Sequence, residues 1–85
     1  MSFIKTIGDW KLSTDPPENS TSKFYAVTLH WKSNDYSKIA ENHFRYCYNN
    51  WQYYINGTWA NFNSSINDVY AYIEIEPLLP YKEKE

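Results

Sequence analysis

The sequence has very few residues that could brace a small fold through covalent or metal cross-links. Its 85 residues include one cysteine, Cys47, and two histidines. A single cysteine cannot form an internal disulfide, and three such residues cannot complete a structural zinc site of four Cys and His ligands. One hydrophobic core, in a single small domain predicted over residues 1–81, must therefore supply the stability. Residues 82–85 predict a charged, frayed tail.

Charge of either sign is missing from residues 46–67. This stretch is long enough to span a bilayer, but amide side chains interrupt it and would be costly in hydrocarbon. They are Asn49, Asn50, Gln52, Asn56, Asn61 and Asn63. Residues 1–11 also lack the apolar run of a secretory signal. We therefore expect a cytoplasmic protein with a reduced cysteine and no membrane partner.

A strong net charge and glycine-rich motifs are also absent. Eight basic residues against ten acidic ones give a net charge of −2, too weak to indicate a nucleic-acid partner. Gly8 and Gly57 are the only glycines, so the sequence has no phosphate-binding loop. No cofactor is expected.

Two segments alternate apolar and polar residues as half-buried strands do. In residues 23–32, one side carries Tyr25, Val27, Leu29 and Trp31. In residues 69–76, Val69, Ala71, Ile73 and Ile75 are predicted to face one way, and Tyr70, Tyr72, Glu74 and Glu76 the other. Pro77 is expected to end that strand, and Leu78, Leu79 and Tyr81 to fold back over one end of the sheet.

Residues 43–62 predict a three-strand meander. Asn49-Asn50 and Asn56-Gly57 supply its turns, because these residues tolerate the positive φ of tight hairpins. Residues 13–22, with Pro16-Pro17, predict a polar loop that either performs a function or covers part of the fold. Residues 33–42 fit a short helix or an ordered loop, and residues 1–12 a short strand or irregular arm with Trp10 buried. The expected fold is mostly β, or α+β: one small antiparallel sheet or meander of about five strands, with at most one short helix.

Candidate catalytic groups are few. His43 and Cys47 are four residues apart, which suits a metal site on a helix but separates them by roughly 13 Å on the predicted strand. Cys47 could act as a nucleophile only with a base such as His30 or His43, and no motif supports this arrangement. Glu74 and Glu76 share a strand face at a spacing that suits paired carboxylates, but charges that protect an edge strand are far more common. We therefore expect neither an enzyme nor a bound metal.

Aromatic residues are the one class in excess, at 20% of the chain. A single sheet has two faces and little chain to cover the second, so some rings should remain exposed. Exposed Tyr and Trp among amides are typical of protein-binding hot spots, and they also suit stacking on sugars or unpaired bases. The predicted binding residues are Trp51, Tyr53, Tyr54, Tyr70, Tyr72, Glu74 and Glu76.

The two ends of the chain carry a resemblance. Trp10 precedes a polar stretch and Pro16-Pro17, and the chain closes with Val69-Tyr70-Ala71-Tyr72 and then Pro77-Leu78-Leu79-Pro80-Tyr81. These ends resemble a family of small phage and bacterial proteins of unknown function, which begin with Trp and Leu-Pro and end in a strand followed by Pro-Leu-Pro. The resemblance implies a phage or mobile-element origin and a non-enzymatic accessory role.

Together these observations predict a protein that binds, and inhibits, a host or phage protein. A host-defence inhibitor such as an anti-CRISPR is one form of this expectation, and a homodimer through a sheet edge is another mode of association. The alternative is a carbohydrate- or nucleic-acid-binding module that uses the same rings, although strong nucleic-acid binding would need a basic track that residues 46–67 lack.

Overall fold

The computed structural model describes residues 5–76, and within this range it consists of strands joined by turns and loops. The strands are β1 (Thr6–Leu12), β2 (Phe24–Trp31), β3 (Tyr36–Ile39), β4 (Phe44–Cys47), β5 (Asn50–Ile55), β6 (Thr58–Asn61) and β7 (Asn67–Ile75). All seven belong to one antiparallel sheet, which confirms the mostly β fold class with more strands than the five expected. The predicted charged tail and the closing segment from Pro77 lie outside the described residues.

The two longest strands, β2 and β7, pair along their whole length, from Phe24 opposite Ile75 to Trp31 opposite Asn67. β1 lies beside β7, and β4, β5 and β6 follow on the other side of β2. That second edge of β2 is shared, because β3 pairs with residues 28–31 while β4 meets it at the single pair Tyr25–Phe44. The β4–β5–β6 meander is therefore joined to β2 and β7 by little backbone pairing and mainly by side chains.

The prediction of a short helix or ordered loop in residues 33–42 was wrong. These residues form a turn and then β3, which pairs with β2 from Trp31–Tyr36 to Thr28–Ile39. A two-turn helix would satisfy few of its own backbone groups, whereas the free edge of β2 offers a complete ladder. All four β3 side chains are exposed, so backbone pairing rather than a buried face places this strand.

The main hydrophobic cluster lies on one face of the sheet, here called the core face. Its buried members are Tyr25, Val27, Phe44, Val69 and Tyr72, and the partly buried side chains packed against them are Leu29, Ala40, Trp51, Tyr53 and Phe62. Aromatic rings meet edge to face, as their quadrupoles favour; the centroids of Tyr25 and Tyr72, for example, are 5.4 Å apart. Three of the five buried residues of this small core are thus aromatic.

The polar loop predicted at residues 13–22 covers part of the core face. The Ser13 N–H donates to the Tyr70 carbonyl, and the Ser20 N–H donates to the Tyr46 carbonyl, so the loop runs from β7 to β4. Asn19 then makes two hydrogen bonds to Asn49, accepting from its backbone N–H at 2.7 Å and donating to its side chain at 3.0 Å. The loop is fixed at both ends, which accounts for its ordered course despite its length.

The burial predicted for Trp10 was also wrong, since 44% of this residue is exposed. β1 pairs with β7 at Ile7–Glu74 and again at Lys11–Tyr72, so three residues of β1 lie opposite one residue of β7. Gly8 adopts a φ of 76° within this bulge, a conformation that glycine accepts without strain. The bulge distorts the edge strand, and every residue of β1 is exposed.

Both hairpin turns of the meander have two central residues with positive φ, as type I′ turns require. The prediction at Asn56-Gly57 is confirmed, with φ values of 53° and 79°. The first turn lies one residue earlier than predicted, at Tyr48 (59°) and Asn49 (57°), because Asn50 pairs with Cys47. Tyr48 is 77% exposed at the tip of this hairpin.

Replacing Gly57 by valine should lower the free energy of unfolding by about 2 kcal/mol, since a left-handed backbone is costly for a residue with a Cβ and more so for a branched one. A Cβ at Gly57 would meet no atom within 4 Å, so the cost arises from the backbone alone. Gly57→Asn, which tolerates this conformation, should cost at most about 1 kcal/mol. Urea unfolding followed by tryptophan fluorescence measures both, and equal costs for the two variants would contradict the explanation.

Candidate functional site

The structure separates the seven predicted binding residues instead of gathering them on one surface. Trp51 and Tyr53 lie on the core face, where their ring centroids are 6.4 Å and 6.0 Å from that of Phe44. Tyr70 lies beside His30, and Glu76 forms a 3.6 Å ion pair with Lys5. Tyr70 is 54% exposed, as predicted, and Tyr54 lies in a separate group of rings that is open to solvent.

The expectation that Tyr72 shares an exposed face with Tyr70 was wrong. Tyr72 is 5% exposed and belongs to the core. Thr28 pairs with Ala71 and Leu29 with Val69, so Tyr70 is an extra residue on β7, opposite no residue of β2. This bulge reverses the alternation, and Val69 and Tyr72 reach the same face although three positions separate them. Ala71, Ile73 and Ile75 are buried as well, so β7 is covered on both sides.

The opposite side of the sheet, here called the outer face, carries a small aromatic pocket formed by Phe24, His43, Tyr54 and Trp59. Its volume is about 230 Å³. Tyr54 and Trp59 are direct partners across the β5–β6 hairpin, with ring centroids 5.2 Å apart at 63°. The Trp59 ring also lies parallel to Phe24, at 5.6 Å and 4°. The β5–β6 hairpin and the distant strand β2 thus contribute to one pocket, together with His43 just before β4.

Arg45 fixes the orientation of the Trp59 ring. Its guanidinium carbon lies 4.6 Å from the ring centroid, within the range of a cation–π interaction. The Arg45 Nε donates to Gln52 Oε1 at 2.7 Å, and Gln52 Nε2 donates to Asn61 Oδ1 at 2.9 Å. This ladder crosses β4, β5 and β6 beside the aromatic pocket, so both the guanidinium and the indole are held before any ligand arrives.

Sequence reasoning placed Tyr54 in the binding set but omitted Phe24, His43, Arg45 and Trp59. Part of the pocket could be predicted from the sequence, because a two-residue turn at Asn56-Gly57 puts Tyr54 directly opposite Trp59. Arg45 and Phe24 could not be added in the same way, since their approach to Trp59 depends on how β4 and β2 are placed beside the hairpin.

A second concave site, here called the acidic groove, lies between the residue 13–22 loop, β1 and the adjoining part of β2 and β7. Its volume is about 630 Å³. Its ionisable lining consists of Asp9, Asp15, Glu18, Glu74, Lys11, Lys23, Tyr25 and Tyr72. The groove contains two of the predicted residues, Tyr72 and Glu74, but as wall residues of a polar groove and not as an exposed aromatic platform. The Tyr72 hydroxyl donates to the Asp15 carbonyl, and burial together with the Asp15 charge raises the pKa of Tyr72.

Comparison of the chain with protein-family models, curated proteins and solved structures gives no match. The resemblance of its two ends to the phage and bacterial family stays a hypothesis.

The remaining chemical candidates from the sequence are Cys47 and the two histidines. Cys47 is buried at the end of β4, and within residues 5–76 no group of three or more His, Cys, Asp or Glu side chains could hold a metal ion. The same residues contain no helix able to cross a membrane. The His30 Nε2 lies 2.7 Å from the Asp35 Oδ1 at the β2–β3 turn, remote in sequence from Cys47.

Proposed function

We propose that this protein is a non-catalytic binding domain that attaches to another protein through the aromatic pocket. An apolar side chain of the partner enters the pocket and packs against the Tyr54 and Trp59 rings. The observation that carries the proposal is the fixed Trp59 ring, held by Phe24 and Arg45 while 45% of its neighbour Tyr54 remains exposed.

The composition of the pocket supports a protein partner. Trp, Tyr and Arg are the residue types enriched in binding hot spots, which lie in pockets where a side chain is fully desolvated. A volume of about 230 Å³ is smaller than the pockets that usually enclose small-molecule ligands. It suits one side chain of a larger molecule. Because the receiving rings are already packed, little side-chain freedom is lost on binding.

The electrostatics around the pocket favour an apolar protein surface over a nucleic acid. Tyr54 and Trp59 belong to the uncharged stretch at residues 46–67. The positive charge that contacts the pocket is the Arg45 guanidinium, which lies against the Trp59 ring. Nucleic-acid binding depends on several contacts between cationic side chains and phosphates. A single guanidinium that already contacts the Trp59 indole cannot supply them. The proposal includes inhibition, because a domain bound through this pocket can cover a surface that its partner needs.

A random-peptide display library tests the pocket directly, because it offers many different anchor side chains at once. Selection on the wild-type protein should enrich peptides that share one aromatic or aliphatic anchor. Tyr54→Ala should weaken the binding of a selected peptide at least tenfold, the loss expected for a hot-spot side chain.

Tyr48→Ala is the matched control, because Tyr48 is 77% exposed at the neighbouring hairpin tip and lies outside the aromatic pocket. It should change the affinity less than twofold. Circular dichroism and urea unfolding verify that both variants are folded. Equal binding by wild type and Tyr54→Ala would overturn the proposal, as would Tyr54-dependent binding to a glycan array without any peptide selection.

A further inference from the structure

The acidic groove carries more negative charge than its own basic residues neutralise. Four carboxylates line it, those of Asp9, Asp15, Glu18 and Glu74, against the two ammonium groups of Lys11 and Lys23. Among the described residues the ion pairs are Lys5–Glu76, His30–Asp35 and Lys32–Asp68, so none of the groove carboxylates has a basic partner at ion-pair distance there. Concave walls concentrate the field of such a surplus and attract cations.

Tyr25 provides an independent sign of a ligand site in the groove. It is 4% exposed and lines the groove, and within residues 5–76 its hydroxyl forms no hydrogen bond. Among the described residues Asn67 Oδ1 is the buried side-chain polar atom without a partner, so the Tyr25 hydroxyl is not sealed in the core and opens into the groove, where a ligand can reach it. Burial, followed by the charge of Glu74 and then the influence of Tyr72 and Glu18, raises the pKa of Tyr25. The hydroxyl therefore stays neutral at physiological pH and can accept an N–H donor.

The spacing of the carboxylates indicates which kind of cation fits the groove. They do not converge into a group that could hold a metal ion. They are instead distributed along a groove of about 630 Å³, a volume typical of sites for extended small molecules. A chain with cationic N–H groups at intervals can satisfy several of these carboxylates at once, and its methylene groups can lie against the exposed Ile7 and Pro16 side chains of the groove.

We propose that the acidic groove binds an organic cation whose ammonium or guanidinium groups are carried on a flexible alkyl chain. The cationic N–H groups donate to the Glu74 and Glu18 carboxylates and to the Tyr25 hydroxyl. The site lies on the opposite side of the sheet from the aromatic pocket and does not depend on the function proposed for that pocket. The same chemistry is offered by a free polyamine and by the arginine or lysine side chains of a peptide.

Isothermal titration calorimetry with spermidine and with a capped Arg-Gly-Arg peptide distinguishes these two sources. Tighter binding of spermidine assigns the groove to free polyamines, and tighter binding of the peptide assigns it to basic side chains of a protein. Hexamethonium is the chemical control, because it has two positive charges on a flexible alkyl chain but no N–H donor. It should bind at least tenfold more weakly than the better of the two probes.

Variants that remove the same charge inside and outside the acidic groove test whether the probe binds there. Glu74→Gln should weaken the better probe about tenfold, and Tyr25→Phe about threefold, as expected for the loss of a charge-assisted hydrogen bond and a neutral-acceptor hydrogen bond. Glu41→Gln removes the same charge from an exposed residue outside the groove and should have less than a twofold effect. No binding of either probe at millimolar concentration would overturn the proposal, and so would equal losses in Glu74→Gln and Glu41→Gln, which would indicate non-specific attraction.

Discussion

Replacing Trp51 by alanine is expected to lower the free energy of unfolding by about 3–5 kcal/mol, the usual cost of removing a large aromatic side chain from a core. The Trp51 ring is the meeting point of the core face. Its centroid lies 5.8 Å from that of Tyr25, 5.4 Å from that of Tyr72 and 5.0 Å from that of Tyr46. A domain of 85 residues has a total stability of about 4–13 kcal/mol, so this loss would remove a large part of the free energy of unfolding.

Trp10→Ala is the matched control, since Trp10 is an exposed tryptophan on the irregular strand β1. We expect it to cost no more than about 1 kcal/mol. Urea unfolding followed by circular dichroism compares the two variants without relying on the fluorophores that they remove. Equal costs would show that Trp51 does not organise the core. The expected difference also means that Trp51→Ala cannot test binding. The variant would lose stability, so a loss of binding could not be assigned to a lost surface contact.

Local signals in the sequence were sufficient to predict several strands and turns of the sheet. The alternation in residues 23–32 predicted β2, and Asn56-Gly57 predicted the β5–β6 hairpin, because side-chain period and positive φ are determined by a few adjacent residues. β3 was missed for the opposite reason. Its side chains are all exposed, so it leaves no hydrophobic pattern, and its position depends on the unpaired edge of β2.

Irregularities in the edge and central strands account for the errors in burial. Alternation assigns each residue to a face only while the register continues, and neither bulge has an unambiguous mark in the sequence. In β7 the bulge falls at Tyr70, without a glycine or proline, and it moves Tyr72 from the predicted exposed face into the core. In β1, Gly8 was the available indication of a bulge, and Trp10 is exposed in an edge strand whose seven residues are all exposed.

The candidate site was predictable only where it lies within one hairpin. The opposition of Tyr54 and Trp59 follows from the turn between them, but the stacking of Phe24 on Trp59 joins positions 35 residues apart in the chain. The acidic groove is still less accessible to sequence reasoning. Its lining comes from the residue 13–22 loop together with β1, β2 and β7, and charge along the chain gives no indication that these carboxylates share a concave surface.

Phe44 provides the sharpest test of how the meander is attached to the rest of the sheet. It is 2% exposed, and it lies in the single residue pair between β2 and β4. Its ring also contacts Tyr53 and Phe62, at centroid distances of 6.0 Å and 5.5 Å. One side chain therefore packs the meander internally and occupies its junction with β2.

Phe44→Ala should lower the free energy of unfolding by about 3–5 kcal/mol, whereas Phe44→Leu, which keeps most of the volume, should cost less than about 1.5 kcal/mol. The loss should also be uneven across the sheet. Because β2 and β7 retain their full ladder, the amides of β5 and β6 should exchange with solvent faster than those at the centre of β2 and β7.

Native-state hydrogen exchange monitored by NMR measures this difference residue by residue. Separate opening of the meander requires that exchange at Gln52 and Tyr54 accelerates more than exchange at Val27 and Ile73. If all four amides accelerate equally in Phe44→Ala, the aromatic contacts from Trp51 to Tyr25 and Tyr72 are sufficient to make the sheet a single cooperative unit. The sparse backbone pairing between β2 and β4 would then not allow the meander to open separately from the rest of the sheet.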